Sequence, residues 1–191
     1  TLTLQQQLLE QDLPRLRQVF NSLAEDEEHP LHSFISKEKL ADLKIALAKG
    51  RNNYVCLRKW YSLQPEKNSF EPEQKNFFIR MLSWLHHTDT GDCRELNLND
   101  NQPWWHLVAS DYESCWGRKC PHFHDQCFFM RSRRQCEESD LLVANHALLL
   151  SDLNAESKVL PSYERLIIDE AHHLEDLASE YLGIQVGEAS I

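Results

Sequence analysis

Leu166-Ile167-Ile168-Asp169-Glu170-Ala171-His172 is the stretch around which the remaining residues fall into order. Arg165 to Ile168 predicts a short buried strand, rich in apolar and β-branched side chains. The acidic pair comes where that strand stops, which is where a parallel α/β sheet presents its chemistry. A magnesium ion carrying nucleotide phosphates needs a carboxylate at the carboxyl end of such a strand, and Asp169 stands there. Glu170 is then placed to polarise an attacking water. The plainer alternative is a core strand running into a helix whose acidic first turn answers the helix dipole. The apolar run joined to this particular tetrad favours the nucleotide reading.

The bulk properties bound the fold. The chain has 191 residues, 41% of them hydrophobic and 26% charged, enough for one core or one core plus a small insert. No apolar run approaches bilayer length, and the first residues lack the basic start and apolar middle of a signal peptide, so a cytoplasmic protein with no membrane segment is expected. Six cysteines in that compartment suggest metal ligation more than disulfides. The net charge of -10 hides two basic runs: Lys44 to Lys59 carries five basic residues and no acid, and Cys115 to Arg134 carries five against Asp125. Both runs enclose cysteines. A metal shared between them would draw one local patch together for phosphates.

Along the chain, Leu4, Leu8, Leu16 and Val19 mark an apolar helix face, which Pro14 is expected to kink or end near Leu13. Ile45 to Ala48 reads as a short strand or a helix end, followed by turn residues Lys49-Gly50-Arg51-Asn52-Asn53. Glu71 to His87 predicts a packed helix, with Pro72 in the first turn and Phe77, Phe78, Met81, Leu82, Trp84 and Leu85 on its apolar face. Asp89 to Pro103 reads as a polar loop, with Trp104-Trp105 anchoring its return to a core. Asp140 to Ala144 is a second short strand and Asn145 to Asp152 a helical turn. Leu174, Leu177, Ala178 and Tyr181 form the face of a last helix that Gly183 ends.

Cys115, Cys120 and Cys127 are separated by four and then six residues, in a segment too polar to order itself around a core. Three thiolates need a fourth ligand to close a tetrahedral zinc site or an iron-sulfur cubane. Cys56, Cys93, Cys136, His122 and His124 are the candidates, and spacing does not choose among them. A structural zinc held by Cys115, Cys120, Cys127 and one of those histidines competes with a cluster, because imidazole is a common zinc ligand and rare on clusters.

Three stretches together resemble the iron-sulfur superfamily 2 DNA helicases of the DinG/XPD type, the bacterial DinG-like branch above all. They are Thr1-Leu-Thr-Leu-Gln-Gln-Gln-Leu8, then Lys49 to Leu57 with the later cysteines, then Val143-Ala-Asn-His-Ala-Leu-Leu-Leu150 with the DEAH box Asp169-Glu-Ala-His172. The resemblance implies a partial RecA-like parallel sheet of the P-loop NTPase type. Residues 1–43 would begin the first motor domain, 44–139 would be an inserted, mainly helical 4Fe-4S domain, and 140–191 would return to the motor before an arch domain. It assigns Cys56 as the fourth cluster ligand beside Cys115, Cys120 and Cys127, leaving Cys93 and Cys136 as bystanders. It places Thr1, Thr3 and Gln5 on the DNA backbone, Asp169 on Mg2+ with ATP, Glu170 on the water, and His172 between nucleotide and strand. The implied parent is a monomeric ATP-dependent helicase moving 5′ to 3′ on single-stranded and forked DNA, in repair or replication. Arg51, Arg58, Arg131, Arg133 and Arg134 would meet phosphates, with Tyr54 or Phe128 stacking on bases.

The sequence departs from that pattern in one respect that bears on activity. No Gly-rich loop ending in Lys-Ser or Lys-Thr occurs in it, and no second motor domain, so these 191 residues are read as a helicase fragment that does not hydrolyse ATP alone. The rival is a non-catalytic, zinc-stabilised module for nucleic acid or protein, in which Asp169 and Glu170 merely cap a helix.

Overall fold

A computed structural model of the chain describes residues 11–26, 30, 36, 39, 42–63, 71–96, 104–155 and 159–182. They fall into two compact units, one made of the segments up to Ala48 and from Cys136, the other of Lys49–Gln135. The fold is mixed α/β. Among the described residues no helix is long and apolar enough to cross a membrane.

The first unit contains a two-stranded parallel sheet. Strand β1 (Ile45–Leu47) pairs with β2 (Leu141–Val143) in the register Ile45 to Leu141 and Leu47 to Val143. Lys44 locks the start of the pair: its carbonyl accepts from the Asp140 and Leu141 N–H groups at 2.8 and 3.1 Å, while its own N–H donates to the Asp140 carboxylate at 3.1 Å. Ala48 extends the ladder by donating to the Val143 carbonyl at 2.8 Å. The strand expected within Asp140 to Ala144 pairs here with Ile45 to Leu47, which settles as a strand and not a helix end, because parallel neighbours with uninterrupted apolar residues can be covered on either face.

Helix α1 spans Leu13–Glu25. Pro14 sits in the first turn of this helix, where its missing N–H has no intrahelical acceptor to lose; the earlier helix that it was expected to kink or end near Leu13 lies, up to residue 10, outside the described residues. Helix α6 (His146–Asn154) begins immediately after β2, capped by the Asn145 side chain, which accepts from the Leu148 N–H at 2.8 Å. Its inner face buries Leu149 and Leu150, and Ala48, Cys136, Leu149 and Leu160 form the small core, with Leu142, Ala144, Leu148 and Ile168 packed on it. Asp152 is wholly buried, and its Oδ1 accepts from the Val159 and Leu160 N–H groups, both at 2.8 Å, so that the carboxylate folds the chain back after the helix. Helix α7 runs Leu174–Leu182.

The strand expected at Arg165 to Ile168 is not formed. Ile168 alone packs on the core, while Leu166 and Ile167 are 52% and 92% exposed, and no described strand lies beside them to pair with. A single apolar segment has no ladder of its own to make, so sequence character cannot turn it into a strand without neighbours.

The Lys49–Gln135 unit is helical around an aromatic core. Its helices are α2 (Leu57–Ser62), α3 (Pro72–Leu85), α4 (Trp105–Val108) and α5 (Phe128–Glu137), the last reaching two residues past the unit. Tyr54, Val55, Phe77, Met81, Leu96, Val108 and Phe128 are buried together, with Trp60, Phe78, Trp84, Trp104 and Trp105 packed around them. Trp104 and Trp105 therefore anchor the chain as expected. Leu82 does not join the expected face of α3: it is 54% exposed, because Phe77 and Met81 already fill the inward stripe. Within the expected polar loop, Cys93–Leu96 forms a 3-10 turn that buries Leu96 and Asp92, the latter paired with Lys49; residues 97–103 lie outside the described residues.

Candidate cysteine site and acidic motif

Cys56 is fixed by backbone on two sides. The Val55 N–H donates to the Gly91 carbonyl at 3.0 Å, the Cys56 N–H to the Val108 carbonyl at 2.7 Å, and the Ser110 N–H to the Tyr54 carbonyl at 2.8 Å. Tyr54 and Val55 thereby form antiparallel bridges to Asp92 and Ala109, and Cys56 emerges at the start of α2. Gly91 makes this junction sterically feasible. It has φ +67°, and a Cβ there would overlap the Phe128 ring, the residue that follows Cys127.

The Cys115 to Cys127 segment is ordered by turns and by charged side chains reaching into it. Cys120 donates its N–H to the Gly117 carbonyl at 2.9 Å, and Cys127 its N–H to the His122 carbonyl at 2.7 Å. Arg58 donates to the Ser114 carbonyl at 2.7 Å and lies over the Trp116 ring at 4.6 Å, while Arg134 donates to the His124 carbonyl at 2.8 Å. Lys59 pairs with Asp111, whose carboxylate also accepts from the Ser114 N–H and hydroxyl at 2.7 and 2.6 Å. The Lys59 ammonium and the Ser114 donors hold the Asp111 carboxyl well below the usual carboxylate range.

These two stretches bring Cys56, Cys115, Cys120 and Cys127 to one open cavity, which Arg51, Arg58, Trp116, His122, Phe123, Phe129 and Met130 also line. Burial pushes the Cys127 thiol up, and the neighbouring Cys56, Cys115 and Cys120 add repulsion that raises it further. The four thiols are electrostatic neighbours, yet among the described residues no three of their sulfurs stand within 4.8 Å of one another. Tetrahedral zinc with Zn–S near 2.3 Å holds its sulfurs roughly 3.8 Å apart. No three of these four sulfurs stand that close together. The Gly117 N–H points at the Cys115 sulfur, 3.4 Å away, and the Arg51 and Arg58 guanidiniums offset negative charge. The donor set thus suits a group larger than one ion and carrying negative charge.

Cys93 and Cys136 do not line this cavity. Burial, with Asp92 beside it, pushes the Cys93 thiol up to about 11, which keeps it protonated. Cys136 is buried in the core of the other unit, its thiol 3.9 Å from the Leu47 carbonyl.

The residues proposed for nucleic acid divide. Arg51 lies over the Phe129 ring at 4.2 Å and Arg131 over the Phe128 ring at 4.9 Å, and Arg133 and Arg134 are half-buried on α5. Tyr54 is no stacking platform: it is 4% exposed and its hydroxyl bonds to the Ser132 hydroxyl at 2.7 Å, so neither ring face is open to a base. Phe128 is buried as well. Thr1, Thr3 and Gln5 lie outside the described residues. Gly91, Trp116, Phe129 and Met130 escaped the sequence reading. Only the Trp-Gly turn after Cys115 carried a local signal for any of them.

The acidic motif faces solvent. Asp169 accepts the Glu170 N–H at Oδ1, 2.9 Å, and Glu170 takes a left-handed backbone, φ 49°, before the 3-10 turn Ala171–His173. Such a conformation in a residue with a side chain costs on the order of 1 kcal/mol and marks a sharp change of chain direction. Glu170 Oε2 lies 3.3 Å from His172 Nδ1, and the His172 and His173 rings stand 4.0 Å apart.

Sequence relationships bear on both sites. The DEAD_2 family model matches residues 110–191. The chain is similar to the ATP-dependent helicase DinG of Mycobacterium tuberculosis, 32% identical across 100% of this chain and 28% of that protein. It is similar to the ATP-dependent DNA helicase YoaA of Escherichia coli, 32% identical across 73% of this chain and 22% of that protein. It is also 34% identical to the 3'-5' exonuclease DinG of Bacillus subtilis across 94% of this chain and 17% of that one. The chain thus spans about a quarter of the length of such relatives or less. At that identity over the whole of its length, the chain belongs to the DinG-like helicase family and corresponds to one segment of it.

Proposed function

We propose that this chain is part of an ATP-dependent 5′ to 3′ DNA helicase, and that Cys56, Cys115, Cys120 and Cys127 hold a 4Fe-4S cluster in the unit Lys49–Gln135, which lies inside the 44–139 segment. The observation that carries the reading is the convergence of those four cysteines, from two stretches far apart in sequence, on one cavity that Cys93 and Cys136 do not enter. When bound, the cluster supplies a four-point crosslink between the Cys56 segment and the Cys115 to Cys127 loop, tying a loop that has little core of its own to a segment that the core holds. Phe123, Phe129 and Met130 shield it from water. Arg51 and Arg58 balance its charge, and Arg131, Arg133 and Arg134 remain as phosphate contacts on single-stranded or forked DNA.

In the other unit, Asp169 would hold Mg2+ with ATP, Glu170 would align the water, and His172, beside the Glu170 carboxylate, would couple that carboxylate to the strand. Leu166 and Ile167 are the apolar surface that further strands of a RecA-like sheet would cover. The chain by itself is expected to lack ATPase activity.

The test is anaerobic purification with visible spectroscopy and iron, sulfide and zinc analysis. Four irons and four sulfides per chain, lost on Cys56→Ser and kept on Cys93→Ser, is the expected result. One zinc without sulfide would replace the cluster by a zinc-stabilised binding module with His122 or His124 as a ligand.

A further inference from the structure

The geometry points to a second metal site, for a borderline transition-metal ion such as Ni2+ or Zn2+, made of Glu170, His172 and His173. The Glu170 carboxylate and the two imidazoles each place a ligand atom within 4.8 Å of the others, the only such group among the described residues. Glu170 Oε2 and His172 Nδ1 are 3.3 Å apart. Two ligands about 2.05 Å from a tetrahedral ion are separated by roughly 3.3 Å, so this pair already has the spacing of a chelate. His173 follows on the same 3-10 turn, its ring 4.0 Å from that of His172. All three side chains are exposed, so the small rotation that brings the third ligand in meets no packing.

The donor set chooses the ion. Two imidazoles and one carboxylate suit nickel, zinc or copper, whereas magnesium takes oxygen ligands and keeps its waters. Asp169 is outside the triad, with Oδ1 on the Glu170 N–H, so a magnesium role for Asp169 and a transition-metal role for the triad use different atoms. Binding is simple ligand exchange: waters leave the ion, and any proton on the coordinating imidazole nitrogens is released. The consequence for hydrolysis rests on the proposed function, because an ion at this site withdraws the Glu170 carboxylate from the water it would align. The motif would then carry its own inhibitory metal switch, with His173 as the ligand not otherwise engaged in catalysis.

The test is nickel titration of the 191-residue chain in excess magnesium, with nickel-edge X-ray absorption and iron content on the same samples. One nickel with nitrogen and oxygen neighbours and no sulfur is expected, with affinity falling at least about tenfold in His173→Ala and His173→Gln and unchanged in Cys115→Ser. A sulfur neighbour, or binding indifferent to both His173 variants, overturns the site. Loss of iron with nickel binding intact would count against the cluster alone. In a helicase carrying this segment, His173→Ala should leave magnesium-supported ATP hydrolysis unchanged and relieve inhibition by nickel; equal inhibition of both proteins would remove the switch.

Discussion

Gly91→Ala should unsettle the cysteine site from a position that touches no cysteine. The substitution asks for two things. It places a side chain at φ +67°, which costs about 1–2 kcal/mol for an L residue. It also drives a methyl group into the Phe128 ring, a buried side chain in the core, and relief of such overpacking costs typically another 1–3 kcal/mol. The sum, about 2–5 kcal/mol, is a large share of the stability of a domain this size. Gly117→Ala is the control: its φ is +55° and nothing lies within 4 Å of the added methyl, so it should lose only the backbone part, about 1–2 kcal/mol. All the tryptophans, Trp60, Trp84, Trp104, Trp105 and Trp116, belong to the Lys49–Gln135 unit, so urea unfolding followed by tryptophan fluorescence reports on that unit. Because Gly91 also accepts the Val55 N–H beside Cys56, iron per chain should fall in Gly91→Ala. Equal losses in the two variants, or a Gly91→Ala cost below about 1 kcal/mol, would show that Phe128 is not packed as described.

Three further outcomes follow from single contacts. The depressed folded pKa of Asp111 means that its contribution is full above the ordinary carboxylate value near 4 and fades as pH falls through that value toward the folded one. The gap in thermal stability between the protein and Asp111→Asn, in the same metal state, should therefore shrink below about pH 4; parallel curves would refute the assignment. Tyr54→Phe should cost about 1 kcal/mol by deleting the bond to Ser132 while leaving single-strand affinity unchanged. A fall in affinity without a fall in stability would restore Tyr54 as a base contact. Asp152→Ala should destabilise its unit by about 2–4 kcal/mol, since the Val159 and Leu160 N–H groups lose their acceptor, with Asp152→Asn recovering part by circular dichroism melting.

Local chemistry was legible wherever neighbours in sequence supply the whole cause. Pro72 after an acidic cap, the Asn145 side chain reaching Leu148, and the alternation of turn and apolar residues around β1 and β2 need only a few consecutive positions. The same locality explains the Cys115, Cys120 and Cys127 trio, since close spacing and turn residues confine three thiols whatever the fold. It also explains the errors. Leu166 and Ile167 carry strand character, but a strand exists only by pairing, and pairing is a property of neighbours.

Sequence alone therefore determined the chemical inventory: a thiol cluster inside basic runs, an acidic motif after an apolar run, and helices with readable starts. Only the tertiary structure shows that Cys56, and neither Cys93 nor Cys136, lines the cavity of the trio, because that placement rests on long-range backbone bonds that bring Gly91 against Val55 and Val108 against Cys56. It likewise turned Tyr54 from a surface aromatic into core, and set Glu170 and His172 3.3 Å apart through one left-handed residue. Such outcomes are set by which distant groups compete for the same space and the same hydrogen bonds, information that no single stretch contains.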